Sequence, residues 1–254
     1  MSKNRKVALL IAMCGAVVVG VSFWHYQVAG KSHPAHSAIV RDRSDSVLNG
    51  CDCTVALAKR AFADPHTGAG STIVVTVTGD AATANEPKML SSIKVPVSRQ
   101  ALEGRDAVVQ QREKMLADIS AQCEKTAQTK VSPIFIAVKR ATEHLRSGGC
   151  GPDSNCVVYV QSDLEETGDP QIREVIEHGA RDKQALPQLI NNDGINIVIY
   201  GIAETSGDTV DANGRIRRLT KVHDPQRIER IKSVWSSLFT NPERVTFDPY
   251  CPKN

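Results

Sequence analysis

The stretch Cys156–Gln161, which reads CVVYVQ, decides the fold class of this chain of 254 residues. Its valines and tyrosine form an apolar run without polar alternation, the composition of a strand buried on both faces of a sheet. Two other runs have the same character, STIVVTVT at Ser71–Thr78 and INIVIYGI at Ile195–Ile202. We interpret Ser71–Thr78 as the first strand of the sheet, with Ser92–Val97 as a weaker strand and Arg244–Phe247 as a short edge strand.

Helical patterns alternate with these strands. In Arg99–Thr126 apolar residues recur at three- and four-residue steps, as on one face of a helix. Serine favours the N-cap and proline the first turn, so Ser132 is expected to cap a helix at Pro133–Arg146. Further helical segments are Thr54–Asp64, Asp169–Leu189 and Asp224–Phe239. The alternation predicts an α/β fold with a mostly parallel, doubly wound, Rossmann-like sheet and helices on both faces.

An apolar segment without charge precedes this domain. Val7–Trp24 is about 18 residues long, close to the ~20 that a helix needs to cross a bilayer. Cationic residues precede it and aromatic residues end it, at Lys3, Arg5, Lys6, Phe23, Trp24 and Tyr26. Cations stay on the cytoplasmic side, so we predict a single-pass membrane protein with a cytoplasmic N-terminus and a periplasmic or extracellular domain. The predicted organisation is cytoplasmic residues 1–6, transmembrane anchor 7–26, flexible spacer 31–50 and α/β domain 51–254.

Three alternatives to the anchor stay open. A cleaved signal peptide would have a shorter apolar region and a small-residue cleavage site, for which Val28-Ala29-Gly30 is a poor match. A lipoprotein signal would need a small residue before Cys14, where Met13 stands. A buried core helix would usually have a polar face, and Val7–Trp24 has none.

The seven cysteines agree with an oxidising compartment. Leaving out Cys14, inside the apolar segment, leaves six, an even number that suggests disulfides. Cys150 and Cys156 flank a short turn-like stretch and are predicted to pair, whereas the pairing of the other four stays open. A metal site at Cys51-Asp52-Cys53 is the alternative, although no Cys or His pair at zinc spacing follows it.

Charge and composition argue against several functions. The net charge of +3 and the 4% aromatic content give no reason to expect nucleic-acid binding. The basic residues within 215–221 suit an anionic lipid, an acidic partner or a solvated loop. No Gly-x-Ser-x-Gly nucleophile turn occurs, and the glycine-rich stretch His66–Thr72 lacks the lysine of a phosphate loop.

Three short stretches follow strands or open a helix, where ligands bind in such sheets. They are TGDAA at 78–82, SPI at 132–134 and SDLE at 162–165. In order and setting they resemble von Willebrand factor A-like (VWFA-like) domains over roughly Ser71–Cys251. That family has a buried first strand ending in Asp-x-Ser-x-Ser, a later Thr or Ser before a helix, and a Ser-Asp stretch after the fourth strand.

The resemblance implies a partner site and a divalent-cation site at Asp80, Ser132 and Asp163. In the family, a cation held by these three loops completes its shell with an acidic group of the partner. Here the first loop departs from the pattern, because alanines stand where serines are expected around Asp80, so Mg²⁺ binding is expected to be weakened or absent. Each residue also has a plain structural interpretation: Asp80 as a turn residue, Ser132 as an N-cap, and Asp163 as an acidic residue near a helix start.

These patterns favour a binding module over an enzyme. The leading hypothesis is a membrane-anchored VWFA-like module of the cell envelope that binds another protein through its strand-end loops, with or without Mg²⁺. The alternatives are a metal-dependent hydrolase that uses Asp80 and Asp163 as ligands, and a purely structural subunit of an envelope assembly.

Overall fold

The structure is a computed structural model whose described residues all belong to one compact unit, Pro34–Asn254. They are residues 34–44, 50–78, 87–95, 101–123, 131–166, 168–178, 189–202, 204–210, 216–222 and 224–252. The predicted anchor at 7–26 lies outside them. Within the described ranges no helix is long and apolar enough to cross a bilayer.

The described strands form one large sheet and one separate hairpin. They are β1 His36–Arg41, β2 Thr72–Val77, β3 Lys88–Lys94, β4 Cys156–Gln161, β5 Ile195–Tyr200, β6 Glu204–Val210, β7 Ile216–Val222 and β8 Val245–Asp248. The six-stranded sheet has the order β3-β2-β1-β4-β5-β8, in which every neighbouring pair is parallel except β2 and β3. The predicted mostly parallel α/β sheet is therefore confirmed, with β8 as the expected edge strand. The antiparallel hairpin of β6 and β7 was not predicted.

Five described helices accompany the sheet. They are α1 Gly50–Ala63, α2 Ala101–Cys123, α3 Ile134–Ser147, α4 Pro170–His178 and α5 Pro225–Ser237. Helices α1 and α2 contribute to one core with Ile39 and Val75 of the sheet. Helices α3, α4 and α5 contribute to a second core with Val40 and Val158. Since successive residues of a strand point to opposite faces, Ile39 and Val40 place the two cores on opposite faces of the sheet, as predicted.

The central strand lies in the segment predicted to be a spacer. β1 pairs with β2 on one side and with β4 on the other, so residues 36–41 of the predicted spacer 31–50 form the middle of the sheet. The interpretation of Ser71–Thr78 as the first strand is likewise wrong, because that run is β2. Only Ala38–Val40 is apolar within β1, and polar His36 and Arg41 at its ends concealed the strand.

Three disulfides join elements of the domain. The predicted pair Cys150–Cys156 closes the turn before β4. Cys51–Cys123 joins α1 to α2, and Cys53–Cys251 joins α1 to the C-terminal segment. The alternative of a metal site at Cys51 and Cys53 is therefore wrong.

Candidate functional site

The candidate site lies at the point where the strand order of the sheet reverses. β1 and β4 are neighbours; β2 and β3 follow on the β1 side, and β5 and β8 follow on the β4 side. In doubly wound sheets a crevice opens at this point, beyond the carboxyl ends of the strands, and ligands bind there. The residues that leave these two ends are Asp42 after β1 and Ser162 with Asp163 after β4.

Asp42 joins three loops through its carboxylate. The Ser132 hydroxyl, just before α3, donates to Asp42 Oδ2 over 2.7 Å. The Ser162 hydroxyl donates to the same oxygen over 2.8 Å. Oδ1 accepts the backbone N–H of Ser44 over 2.9 Å, which closes a turn directly after β1. Asp42 is 1% exposed, and a carboxylate so buried is stable only when it is hydrogen-bonded in this way.

The oxygens that surround this point are the hard donors that Mg²⁺ prefers. Ser44, Ser132 and Asp163 are buried together with Asp42. The Asp163 carboxylate accepts the backbone N–H of Glu165 over 3.2 Å. In the described part of the chain, no three His, Cys, Asp or Glu side chains group in a way that would hold a metal. Hydrogen bonds join Asp42 to Ser132 and Ser162, and Asp163 follows Ser162 in the same loop. Carboxylates with serine hydroxyls suit a divalent cation that retains water or takes a partner's oxygen.

A strained turn fixes the direction of Ser162 and Asp163. Leu164 has φ +60°, a left-handed conformation that costs a residue with a Cβ about 1–2 kcal/mol. Its N–H donates to the Ser162 hydroxyl over 2.8 Å, and its carbonyl accepts from Trp235 Nε1 over 3.2 Å. The Leu164 side chain is fully buried, so packing compensates the strain. This anchoring holds the third loop in one conformation.

Glu166 connects the third loop to the start of α3. Its carboxylate accepts the backbone N–H of Phe135 over 2.7 Å, and those of Gly168 and Asp169 over 2.6 and 3.0 Å. The cap of α3 predicted at Ser132 is wrong, because Pro133 occupies the N-cap position without a side-chain capping hydrogen bond, and Glu166 accepts the N–H of Phe135. Burial raises the pKa of Glu166 to about 7, while its backbone donors oppose the rise and Asp42 adds to it.

Tight packing reinforces the same connection. A Cβ placed on Gly168 would lie 2.6 Å from the Cα and Cβ of Pro133, the residue after Ser132. Only glycine therefore allows the loop after β4 to approach the start of α3 this closely.

The predicted site residues have different outcomes. Ser132 and the Ser162–Asp163 loop meet through the carboxylate of Asp42, a residue that the sequence analysis assigned to the spacer. Asp80 lies outside the described residues, so its role stays a prediction, although the strand assignment behind it is wrong. The overlooked signal is the sequence DRSDS at 42–46, an Asp-x-Ser-x-Ser pattern directly after a short apolar run.

Comparisons with known proteins give only distant similarities. No protein-family model matches the chain, and no curated protein matches it. Among solved structures, the manganese-loaded TRAP protein of Plasmodium vivax is similar over 66% of this chain at 7% identity, with a TM-score of 0.35, and the match spans 57% of that chain. A conserved hypothetical protein, BatB of Bacteroides thetaiotaomicron, is similar at 11% identity over 87% of this chain and 91% of that one, with a TM-score of 0.36.

A third similar structure is an aerotolerance-related membrane protein of Bacteroides fragilis that carries multiple mutations to serine. It is 12% identical over 84% of this chain and 90% of its own, with a TM-score of 0.38. Because identities and TM-scores are this low, function has to be inferred from the chain's own contacts.

Proposed function

We propose that this chain is a VWFA-like protein-binding module of the cell envelope. Its partner binds at the crevice formed by the loops after β1 and β4 and the start of α3. The observation that carries the proposal is the Asp42 carboxylate, which accepts hydrogen bonds from Ser132 and Ser162 at the switch point of the sheet. Three distant parts of the chain thereby form one docking surface.

The pattern after β1 supports a role for Mg²⁺. The doubt raised by the alanines around Asp80 does not apply to 42–46, where the Asp-x-Ser-x-Ser spacing is complete. Asp42, Ser44, Ser132 and Asp163 would hold the ion, since a serine hydroxyl rotates and offers its lone pairs as readily as its proton. The ion would supply positive charge for an acidic group of the partner.

The covalent links within the domain support a location outside the cytosol. The three disulfides agree with a compartment outside the cytosol.

Site-specific photo-crosslinking in cells tests the proposal. A photoreactive residue at Gln171, which is exposed at the start of α4 beyond the third loop, is expected to give a discrete adduct. The adduct should disappear with Asp42→Asn, which removes the acceptor charge at the crevice. The matched control is the same residue at Asp153, which is exposed in the loop before β4 at the amino edge of the sheet.

Adducts that form equally at both positions, or that persist unchanged with Asp42→Asn, would contradict the proposal. The hydrolase alternative with Asp80 and Asp163 stays a prediction, because Asp80 lies outside the described residues.

A further inference from the structure

A buried arginine ends the central strand. Arg41 is 6% exposed, and its Nε and Nη1 have no hydrogen-bond partner among the described residues. A parallel strand covered on both faces normally carries apolar residues here. An unsatisfied buried donor costs about 1–3 kcal/mol, and more when the group is charged, so an explanation is required.

A second unsatisfied donor lies beside it. Gln161 is the register partner of Arg41 on β4, and its Nε2 also lacks a hydrogen-bond partner in the described part of the chain. Alternation along the strands places both residues on the face of Ile39 and Tyr159, which is covered by α1 and α2. The other end of the Gln161 amide, Oε1, accepts from the hydroxyl of Thr54 in the first turns of α1 over 3.0 Å.

The N-terminus of α1, a 14-residue helix with Asp52 in its first turn, carries a partial positive charge. Among the described residues, the adjacent Asp42 carboxylate forms no hydrogen bond to Nε or Nη1 of Arg41.

We propose that Arg41, the Gln161 amide and the start of α1 form a binding site for a small carboxylate anion. A guanidinium presents planar N–H donors that match the two oxygens of a carboxylate, and the helix N-terminus favours negative charge. Because both side chains are buried, the proposal is limited to the smallest carboxylates, formate and acetate. This site is on the α1 face of the sheet and goes beyond the partner binding proposed for the Asp42 crevice.

Formate is the probe, measured with the intact domain. Thermal unfolding is followed during a formate titration at constant ionic strength, with chloride as the replaced salt. A site that binds only the folded state raises the folded-to-unfolded ratio about elevenfold at formate ten times its Kd, and the effect saturates. Broadening of the ¹³C-formate NMR signal by the protein reports the same binding directly.

Three variants make the test specific. Arg41→Met should abolish both the saturable stabilisation and the line broadening. Gln161→Glu should do the same while keeping the fold, because its carboxylate supplies the anion beside Arg41 and still accepts from Thr54. Arg140→Gln, which removes only an exposed ion pair on α3, should leave both readouts as in the wild type.

The proposal is overturned by a wild-type response that is linear in formate and equal to that in chloride. A saturable response that Gln161→Glu leaves unchanged would place the anion elsewhere and overturn it as well. If Arg41→Met does not fold, the formate response of Gln161→Glu alone tests whether the anion binds beside Arg41.

Discussion

Replacing Glu166 by glutamine should change how stability depends on pH. The carboxyl is 2% exposed, and its pKa rises from 4.5 to about 7 because burial disfavours the charged form more than its three backbone donors favour it. The folded state therefore binds the proton more tightly than the unfolded state. The stability that Glu166 contributes is fully present below pH 4.5 and is lost as pH rises through 7.

The size of the effect follows from the shift. At about 1.4 kcal/mol for each pH unit, a rise from 4.5 to about 7 corresponds to about 3 kcal/mol. Glutamine has no titrating proton, so Glu166→Gln should lack this component. The difference in free energy of unfolding, wild type minus variant, should fall by about 3 kcal/mol between pH 4.5 and pH 8.

Urea unfolding of the wild type and of Glu166→Gln between pH 4.5 and pH 8 measures the two free energies of unfolding. Their difference removes the contribution of the other titrating groups, which both proteins share. A difference that is constant with pH would show that Glu166 does not titrate in this window. A difference that grows with pH would show that its backbone donors outweigh burial, which would refute the reasoning.

Two further changes test the packing around the site and the disulfides. Gly168→Ala should destabilise the domain by about 1–3 kcal/mol in urea unfolding, because the new Cβ meets the proline before α3, whereas no loss would show that the two loops separate freely. Replacing both cysteines of Cys150–Cys156 by serine should lower the free energy of unfolding by about 2 kcal/mol. The same change at Cys53–Cys251 should lower it about twice as much, because that bond closes a loop of 198 rather than 6 residues. A larger loss at Cys150–Cys156 than at Cys53–Cys251 would contradict the loop-closure argument.

The parts of the fold that could be predicted are those with strong local patterns. Cys156–Gln161 reads as a buried strand and is β4, residue for residue. Asp224 and Pro225 predict the start of α5, and Asp224 does accept the N–H of Gln226 there. Such signals depend only on residues that are adjacent in sequence, so they can be recognised without knowledge of the tertiary structure.

β1 could not be recognised in the same way. Its apolar part is three residues long, and its burial comes from two neighbouring strands that are distant in sequence. The same error affected the predicted site, because the sequence analysis placed its first loop after β2, at Asp80. Ser132 and Asp163 were found because each stands next to an element with a clear sequence pattern, α3 or β4, whereas Asp42 follows β1, which the sequence analysis did not recognise as a strand.

Magnesium titration by calorimetry tests most directly whether Asp42 is the centre of the binding site. The account predicts that the wild-type domain binds Mg²⁺, that Asp42→Asn abolishes the binding heat, and that Asp80→Asn retains it. The contrary result, in which Asp80→Asn abolishes the heat and Asp42→Asn leaves it intact, would place the site in the loop after β2 and contradict the account.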